Sequence, residues 1–196
     1  LGHVTSIARY DGAGRPTRTV DVNGVITDLT YTSRGWLQTR TVRANADGSS
    51  ASGDILTKIA YTTYGNVEAI TDPSGVVTNF IYDNAHRLTD IKDTGGNRIH
   101  YVLDAAGNRV QEQVLNSSGV VVKGITRTYN ALGRLTSLVD GLNHVIMDAS
   151  APAAYDGNGH LVQSLDGLGV QTKATYDGLD RLVVAIQDAS GKANAT

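Results

Sequence analysis

A unit of 21 residues led by tyrosine recurs along the whole of this chain. Tyr10, Tyr31, Tyr61, Tyr82, Leu103, Tyr129, Tyr155 and Tyr176 occupy one equivalent position, at successive steps of 21, 30, 21, 21, 26, 26 and 21 residues. A fixed period of this length marks a repeating supersecondary unit, and it constrains the fold more than any other feature. The longer steps add nine or five residues to the base unit of 21. Those additions belong in turns, and 45–54, 116–122 and 143–152 are the segments expected to protrude as loops.

Neighbouring positions keep the same register. One residue after the tyrosine comes Asp11, Asp83, Asp104, Asp156 or Asp177. Four after it comes Gly14, Gly35, Gly65, Gly107, Gly133 or Gly159, and five after it Arg15, Arg87, Arg134 or Arg181. Six after it the residue is apolar: Leu37, Val67, Leu88, Leu135, Leu161, Leu182. Eleven on, Asp21, Asp72, Asp93, Asp140 and Asp166 open a second motif, closed by Gly24, Gly75, Gly96 and Gly169. Departures are scattered: Asp becomes Thr32, Thr62 and Asn130, Gly becomes His86 and Asp180, and Arg becomes Trp36, Asn66, Asn108 and His160.

Both motifs are turns. Asp opens a turn and caps its amides, while Gly takes the positive φ that closes it. Asn23-Gly24, between Val22 and Val25, reads as a two-residue hairpin turn. The strand leading into each tyrosine alternates cleanly: Phe80, Thr78 and Val76 share a face with Tyr82, and Ile81, Asn79 and Val77 take the other. The strand leaving it does not, because Leu88 and Ile91 are three apart, and a bulge is expected there. Each unit is therefore a hairpin. Eight units make an antiparallel all-β meander of about sixteen strands, in which equivalent tyrosines two strands apart, about 9.6 Å, stack as a ladder. No helical run is present to cover either face, and a sheet of that size curls or spirals.

Composition agrees and excludes other classes. Charged residues make up only 18% and the net charge is −2, with no basic stripe, which argues against nucleic acid as a partner. There is no cysteine, so disulfides and thiolate metal sites are out. No stretch approaches the ~20 apolar residues that cross a bilayer as a helix. The start at Leu1-Gly2-His3-Val4, and a next tyrosine expected just past Thr196, are read as one array, 1–196, cut inside its repeats at both ends.

No catalytic, cofactor or metal site is expected. His3, His86, His100, His144 and His160 are scattered rather than spaced as ligands. The loops Asn45-Ala46-Asp47-Gly48 and Asp156-Gly157-Asn158-Gly159 lack the distal glutamate of a calcium loop and read as turns. No nucleophile elbow or phosphate-binding glycine loop appears. An exposed tyrosine ladder would offer rings for stacking on a glycan; packing within the sheet is the plainer reading. Two raw sheet edges would favour edge-to-edge self-association.

These motifs resemble the YD repeats of the Rhs (rearrangement hotspot) family, related to Tc toxin shell components, wall-associated bacterial toxins and teneurins. Tyr10-Asp11-Gly12-Ala13-Gly14-Arg15 and Tyr129-Asn130-Ala131-Leu132-Gly133-Arg134-Leu135-Thr136 carry the resemblance best. It implies a ribbon of strands wound into a hollow shell, secreted or held at the cell surface of a bacterium, which encapsulates a C-terminal toxin and helps deliver it. Its partners would then be the flanking repeats of its parent chain and the enclosed polypeptide. The family's self-cleaving aspartate region is not expected here, since Asp72-Pro73-Ser74-Gly75 falls on an ordinary turn position. The alternative is a surface adhesion module that binds a glycan or a neighbouring cell's protein. A third reading places an active site in an insertion loop.

Overall fold

The computed structural model describes residues 4–188. It contains sixteen strands in chain order and, among the described residues, no helix. Two compact units are present, Leu1–Gly95 and Gly96–Thr196. The first holds β1 (Ser6–Tyr10), β2 (Pro16–Val20), β3 (Ile26–Tyr31), β4 (Leu37–Val42), β5 (Ile55–Tyr61), β6 (Val67–Thr71), β7 (Val77–Tyr82) and β8 (Leu88–Asp93). The second holds β9 (Arg98–Leu103), β10 (Arg109–Leu115), β11 (Val121–Tyr129), β12 (Leu135–Asp140), β13 (Val145–Asp148), β14 (Gln163–Leu165), β15 (Gln171–Tyr176) and β16 (Leu182–Gln187). Within each unit every strand pairs antiparallel with its successor, so the all-β meander of sixteen strands is as expected.

Odd-numbered strands other than β13 run into the tyrosine position, and the even strands leave it. The bulge expected on the leaving strand is there, and it recurs. Tyr82 pairs with Leu88 but Ile81 with Asp90, so Thr89 is the extra residue. Likewise Tyr31 pairs with Leu37 and Thr30 with Thr39, and Tyr176 pairs with Leu182 and Thr175 with Val184. The bulge always falls seven residues after the tyrosine position, which breaks the alternation of the leaving strand.

Across the other side of each unit the register is also constant. The residue eight after one tyrosine position pairs with the residue three before the next: Arg18 with Asp28, Thr39 with Lys58, Ala69 with Asn79, Gln111 with Thr126, and Gln163 with Lys173. The step from β12 to β13 departs from it, with Ser137 opposite Asp148.

That departure comes from the third insertion, which does not protrude as expected. It folds in: the Ala149 amide donates to the Thr136 carbonyl, and Ala149 and Ala154 are the two most buried apolar residues, at 3% and 1% exposure. The first insertion also lies down. Gly48 is buried and its carbonyl accepts from Arg18 at 3.2 Å. The second is a lengthened hairpin, with β10 and β11 seven and nine residues long around an ordinary turn at Asn116. Short polar insertions contain amides that pair more cheaply with the sheet than with nothing.

Burial is thin throughout. Among the described residues only Ile26, Tyr101, Ala149 and Ala154 are buried apolar side chains. The accessible surface is 12440 Å², against about 8,900 Å² expected for a compact protein of this mass.

Candidate functional site: a tyrosine-centred joint between hairpins

All the turns at the tyrosine end share one build. In the first, the Gly14 amide donates to the Asp11 carbonyl at 3.0 Å and the Asp11 amide to the Arg15 carbonyl at 2.9 Å. The Asp11 carboxylate accepts from the Ala13 and Arg15 amides, both at 2.9 Å. Turns at the Asp-x-x-Gly end are the same. At Asp21 the Gly24 amide reaches the Asp21 carbonyl at 3.0 Å, and the Asn23 and Val25 amides reach its carboxylate. Only Gly24 in this turn has positive φ, at 79°. A two-residue hairpin turn of the kind read from Asn23-Gly24 needs positive φ at both residues. The turn is therefore a five-residue loop with its aspartate as cap, and the upstream Asp21 decided it. Asp156-Gly159 is a turn of this kind too, and Asn45-Gly48 is a turn closed by the Gly48 amide on the Asn45 carbonyl. His86 and Asp180 keep positive φ, 60° and 61°, where glycine is missing.

Up to three contacts link a turn to the neighbouring hairpin. The first is the tyrosine hydroxyl. Tyr31 donates to the Pro16 carbonyl at 2.7 Å, Tyr61 to Leu37 at 2.8 Å, Tyr82 to Val67 at 2.8 Å, Tyr129 to Arg109 at 3.1 Å and Tyr155 to Leu135 at 2.5 Å. Each acceptor lies six residues after the preceding tyrosine position, next to the bulge. A bulge interrupts the ladder locally, and the hydroxyl gives a carbonyl beside it a partner.

The second contact covers the tyrosine ring. The Arg15 guanidinium lies 4.7 Å from the Tyr31 ring centre, and Arg134 lies 5.5 Å from that of Tyr155. Trp36 packs on Tyr61 at 5.2 Å, and His160 stacks on Tyr176 at 4.3 Å and 19°. All four covering residues stand five after the preceding tyrosine position. The expected ladder of tyrosines stacked on one another is thus corrected. No tyrosine pair is in ring contact among the described residues. Rings about 9.6 Å apart leave room for one more layer, and the residue of the preceding turn fills it.

The third contact explains the glycine. A Cβ on Gly35 would stand 3.0 Å from Arg15, on Gly65 2.8 Å from Trp36, and on Gly159 3.3 Å from Arg134. Glycine is replaced after the shorter covering residues: His86 follows Asn66, whose amide reaches the His86 carbonyl at 3.2 Å, and Asp180 follows His160.

Aspartate holds the covering residue in place. Asp11–Arg15, Asp83–Arg87 and Asp177–Arg181 pair at 2.7 Å, and His160 takes the same place against Asp156 at 2.8 Å. The Asp83 carboxyl sits below its ordinary range because the Arg87 amide, then the Arg87 side chain, hydrogen-bond to it. The Asp177 carboxyl is lowered first by the Arg181 side chain. Where aspartate gives way to Thr32 or Thr62, no arginine follows: the partners are Trp36 and Asn66. Asn130 still caps its turn at 3.0 Å, and Arg134 instead reaches the Asp156 carbonyl at 3.3 Å. Leu103 lacks a hydroxyl and a ring. There Tyr101, two residues earlier, is buried under Arg109 at 3.7 Å, and Asn108 replaces arginine against Asp104.

The residues of the repeat signature thus form joints between hairpins. Among the described residues no three histidine, aspartate or glutamate side chains converge to hold a metal ion, and His3 lies outside them. One constellation escaped the sequence. Asp28 pairs with Arg18 at 2.5 Å and Arg43 at 2.6 Å, and Arg43 pairs with Asp54 at 2.7 Å. It clamps the 44–54 loop to the sheet. The Asp28 carboxyl is lowered first by the hydrogen bond from Arg18. Only the placement of Arg18 and Asp28 opposite each other, on neighbouring strands, was available to find it.

The RHS Repeat family matches residues 61–98 and 155–193. These two stretches carry the RHS repeat. Both matched stretches begin on a tyrosine of the joint, Tyr61 and Tyr155. No curated protein matches it. Among solved structures, TcdB2-TccC3 without its hypervariable C-terminal region is similar at a TM-score of 0.59 and 17% identity, over 96% of this chain and 9% of that one. TcdB2-TccC3 is similar at 0.58 and 18%, over 98% of this chain and 10% of that one. TcdB2-TccC3-TEV is similar at 0.53 and 16%, over 94% and 11%. At these identities the likeness is one of fold, and the chain spans about a tenth of the length of those proteins.

Proposed function

We propose that this chain is a structural, non-enzymatic segment of a bacterial RHS-type shell, exported to the cell surface or beyond, which encapsulates a C-terminal toxin and helps deliver it. The observation that carries the reading is where the hairpins find their partners. Tyrosine hydroxyl, covering side chain and glycine contact all run sideways between neighbouring hairpins, and among the described residues only four apolar side chains are buried. Such a sheet is held together along its length without a covering layer, as a wall must be. The test is limited proteolysis of the full-length parent protein with mass spectrometry of the products. A large resistant array plus a separate protected C-terminal fragment is the expected result; an array with nothing protected inside overturns encapsulation.

One feature favours the adhesion reading instead. Tyr64 is 73% exposed beside His86, ring centres 4.1 Å apart, over an open depression of about 440 Å³ lined also by Asn66, Glu68 and Asn84. Exposed rings flanked by hydrogen-bonding groups suit a sugar face. Binding of neutral oligosaccharides that Tyr64→Ala abolishes would support that role.

A further inference from the structure

The joint that closes on Tyr176 keeps only the second of the three contacts. The Tyr176 hydroxyl reaches no acceptor among the described residues, whereas those of Tyr31, Tyr61, Tyr82, Tyr129 and Tyr155 each do. Asp180 stands where glycine would, with φ 61°. What remains is the cover, and here the cover is His160, stacked on the Tyr176 ring at 4.3 Å and 19° with 20% of its side chain exposed. Both of its ring nitrogens face carboxylates. Nδ1 lies 2.8 Å from Asp156 in its own turn, and Nε2 lies 3.5 Å from Asp180 in the next. The Asn158 amide also donates to Asp180, at 3.0 Å. The cations of the neighbouring turns are engaged elsewhere. Arg134 meets the Asp156 carbonyl at 3.3 Å and lies 5.5 Å from the Tyr155 ring centre, and Arg181 pairs with Asp177 at 2.7 Å.

A neutral imidazole carries one N–H, so one of its two nitrogens must turn a lone pair towards a carboxylate; only the imidazolium donates to both. The charged ring is also attracted to the tyrosine face beneath it, as Arg15 is over Tyr31. We infer that His160 is a proton-operated latch between two hairpins of the second unit: charged, it ties the Asp177–Arg181 turn to the Asp156–His160 turn, and neutral, it lets go of Asp180. The covering position holds Arg15, Trp36, Asn66, Arg87, Asn108, Arg134 and Arg181 in the other units. Histidine alone among these residue types changes charge between about pH 5 and 8. The Asp156 carboxyl is held below its ordinary value of 3.8, first by the hydrogen bond from the His160 side chain, so it stays ionised while the imidazole is charged. Its contribution fades only as pH falls through that lowered value, so the latch is closed from about pH 4 up to the loss of the imidazole proton. His144 also pairs with an aspartate, Asp140 at 3.0 Å, but it is 71% exposed and joins no second turn among the described residues. This inference is independent of what the array encloses.

Hydrogen exchange at the Asp180 and Arg181 amides reads the latch, because they donate to the Asp177 carbonyl and carboxylate. Rates are corrected for the intrinsic pH dependence of exchange. Between about pH 5.5 and about pH 8 their protection should fall about threefold, the size of one partly exposed ion pair. The Gly35 and Trp36 amides, in a turn without histidine, should keep theirs. His160→Asn, with the side chain that Asn66 and Asn108 place here in other units, should begin at the lower protection and show no pH dependence. Asp180→Asn tolerates the same positive φ and removes only the charge; it should abolish most of the fall. Circular dichroism confirms that each variant keeps its strands. Wild-type protection that does not change with pH, or an equal fall in His160→Asn, would overturn the latch. A full fall in Asp180→Asn would overturn the part given to Asp180.

Discussion

The hydroxyl of Tyr82 donates to the carbonyl of Val67 at 2.8 Å, fifteen residues upstream and on the preceding hairpin. The signature tyrosine therefore serves its neighbour more than its own turn. Tyr82→Phe should lower stability by about 1 kcal/mol, the net value of one hydrogen bond. Tyr10→Phe, whose hydroxyl has no acceptor among the described residues, should leave it unchanged. Urea unfolding midpoints of the two variants make the comparison, and equal shifts would refute it.

Glycine closing a turn has two separate reasons, and two sites separate them. Gly75 has φ 89° and nothing within 4 Å of a Cβ, so Gly75→Ala should cost only the backbone term, about 1 kcal/mol. Gly65 has φ 96° and faces Trp36 at 2.8 Å. Gly65→Ala should cost more than Gly75→Ala, and Trp36→Ala should recover part of the excess in a double-mutant cycle.

The clamp on the 44–54 loop should fail in acid. Arg18 first, then Arg43, hold the Asp28 carboxyl below its ordinary value of 3.8, and the Ala44 amide, then Arg43, do the same for Asp54. Carboxyls lowered by folding bind fewer protons in the native state, so their contribution is complete above about pH 4 and fades as pH falls through the lowered values. Proteolysis by an acid-active protease should begin at this loop below pH 4. Asp28→Asn should open the same site at neutral pH; an unchanged cleavage pattern would count against the clamp.

Asparagine at position 130 already shows which half of the aspartate's work is backbone capping. Asp83→Asn should keep the amide bonds to Ala85 and Arg87 and lose only the Arg87 pair, whereas Asp83→Ala loses both. Hydrogen exchange at the Arg87 amide should accelerate strongly in the alanine variant and little in the asparagine variant.

Much of this was readable in the residues because a repeat states the same rule eight times. The period, the turn aspartates, the strand alternation and the bulge are local, and each follows from the backbone preferences of a few adjacent residues. The misreadings have a common cause. Asn23-Gly24 looked like a complete turn because Asp21 lay outside the dipeptide. The 45–54 and 143–152 insertions looked like free loops because nothing nearby in sequence shows Arg18 reaching Gly48 or Thr136 accepting from Ala149.

The residues alone determined that this chain is a run of antiparallel hairpins, and where each one turns. Tertiary structure decided how the hairpins hold one another. Arg15 covers Tyr31 and Pro16 receives its hydroxyl because neighbouring hairpins bring positions 15 to 16 residues apart side by side. The physical reason is that a turn depends on torsions within a few residues, whereas a joint depends on distances across strands, which exist only once the register is set.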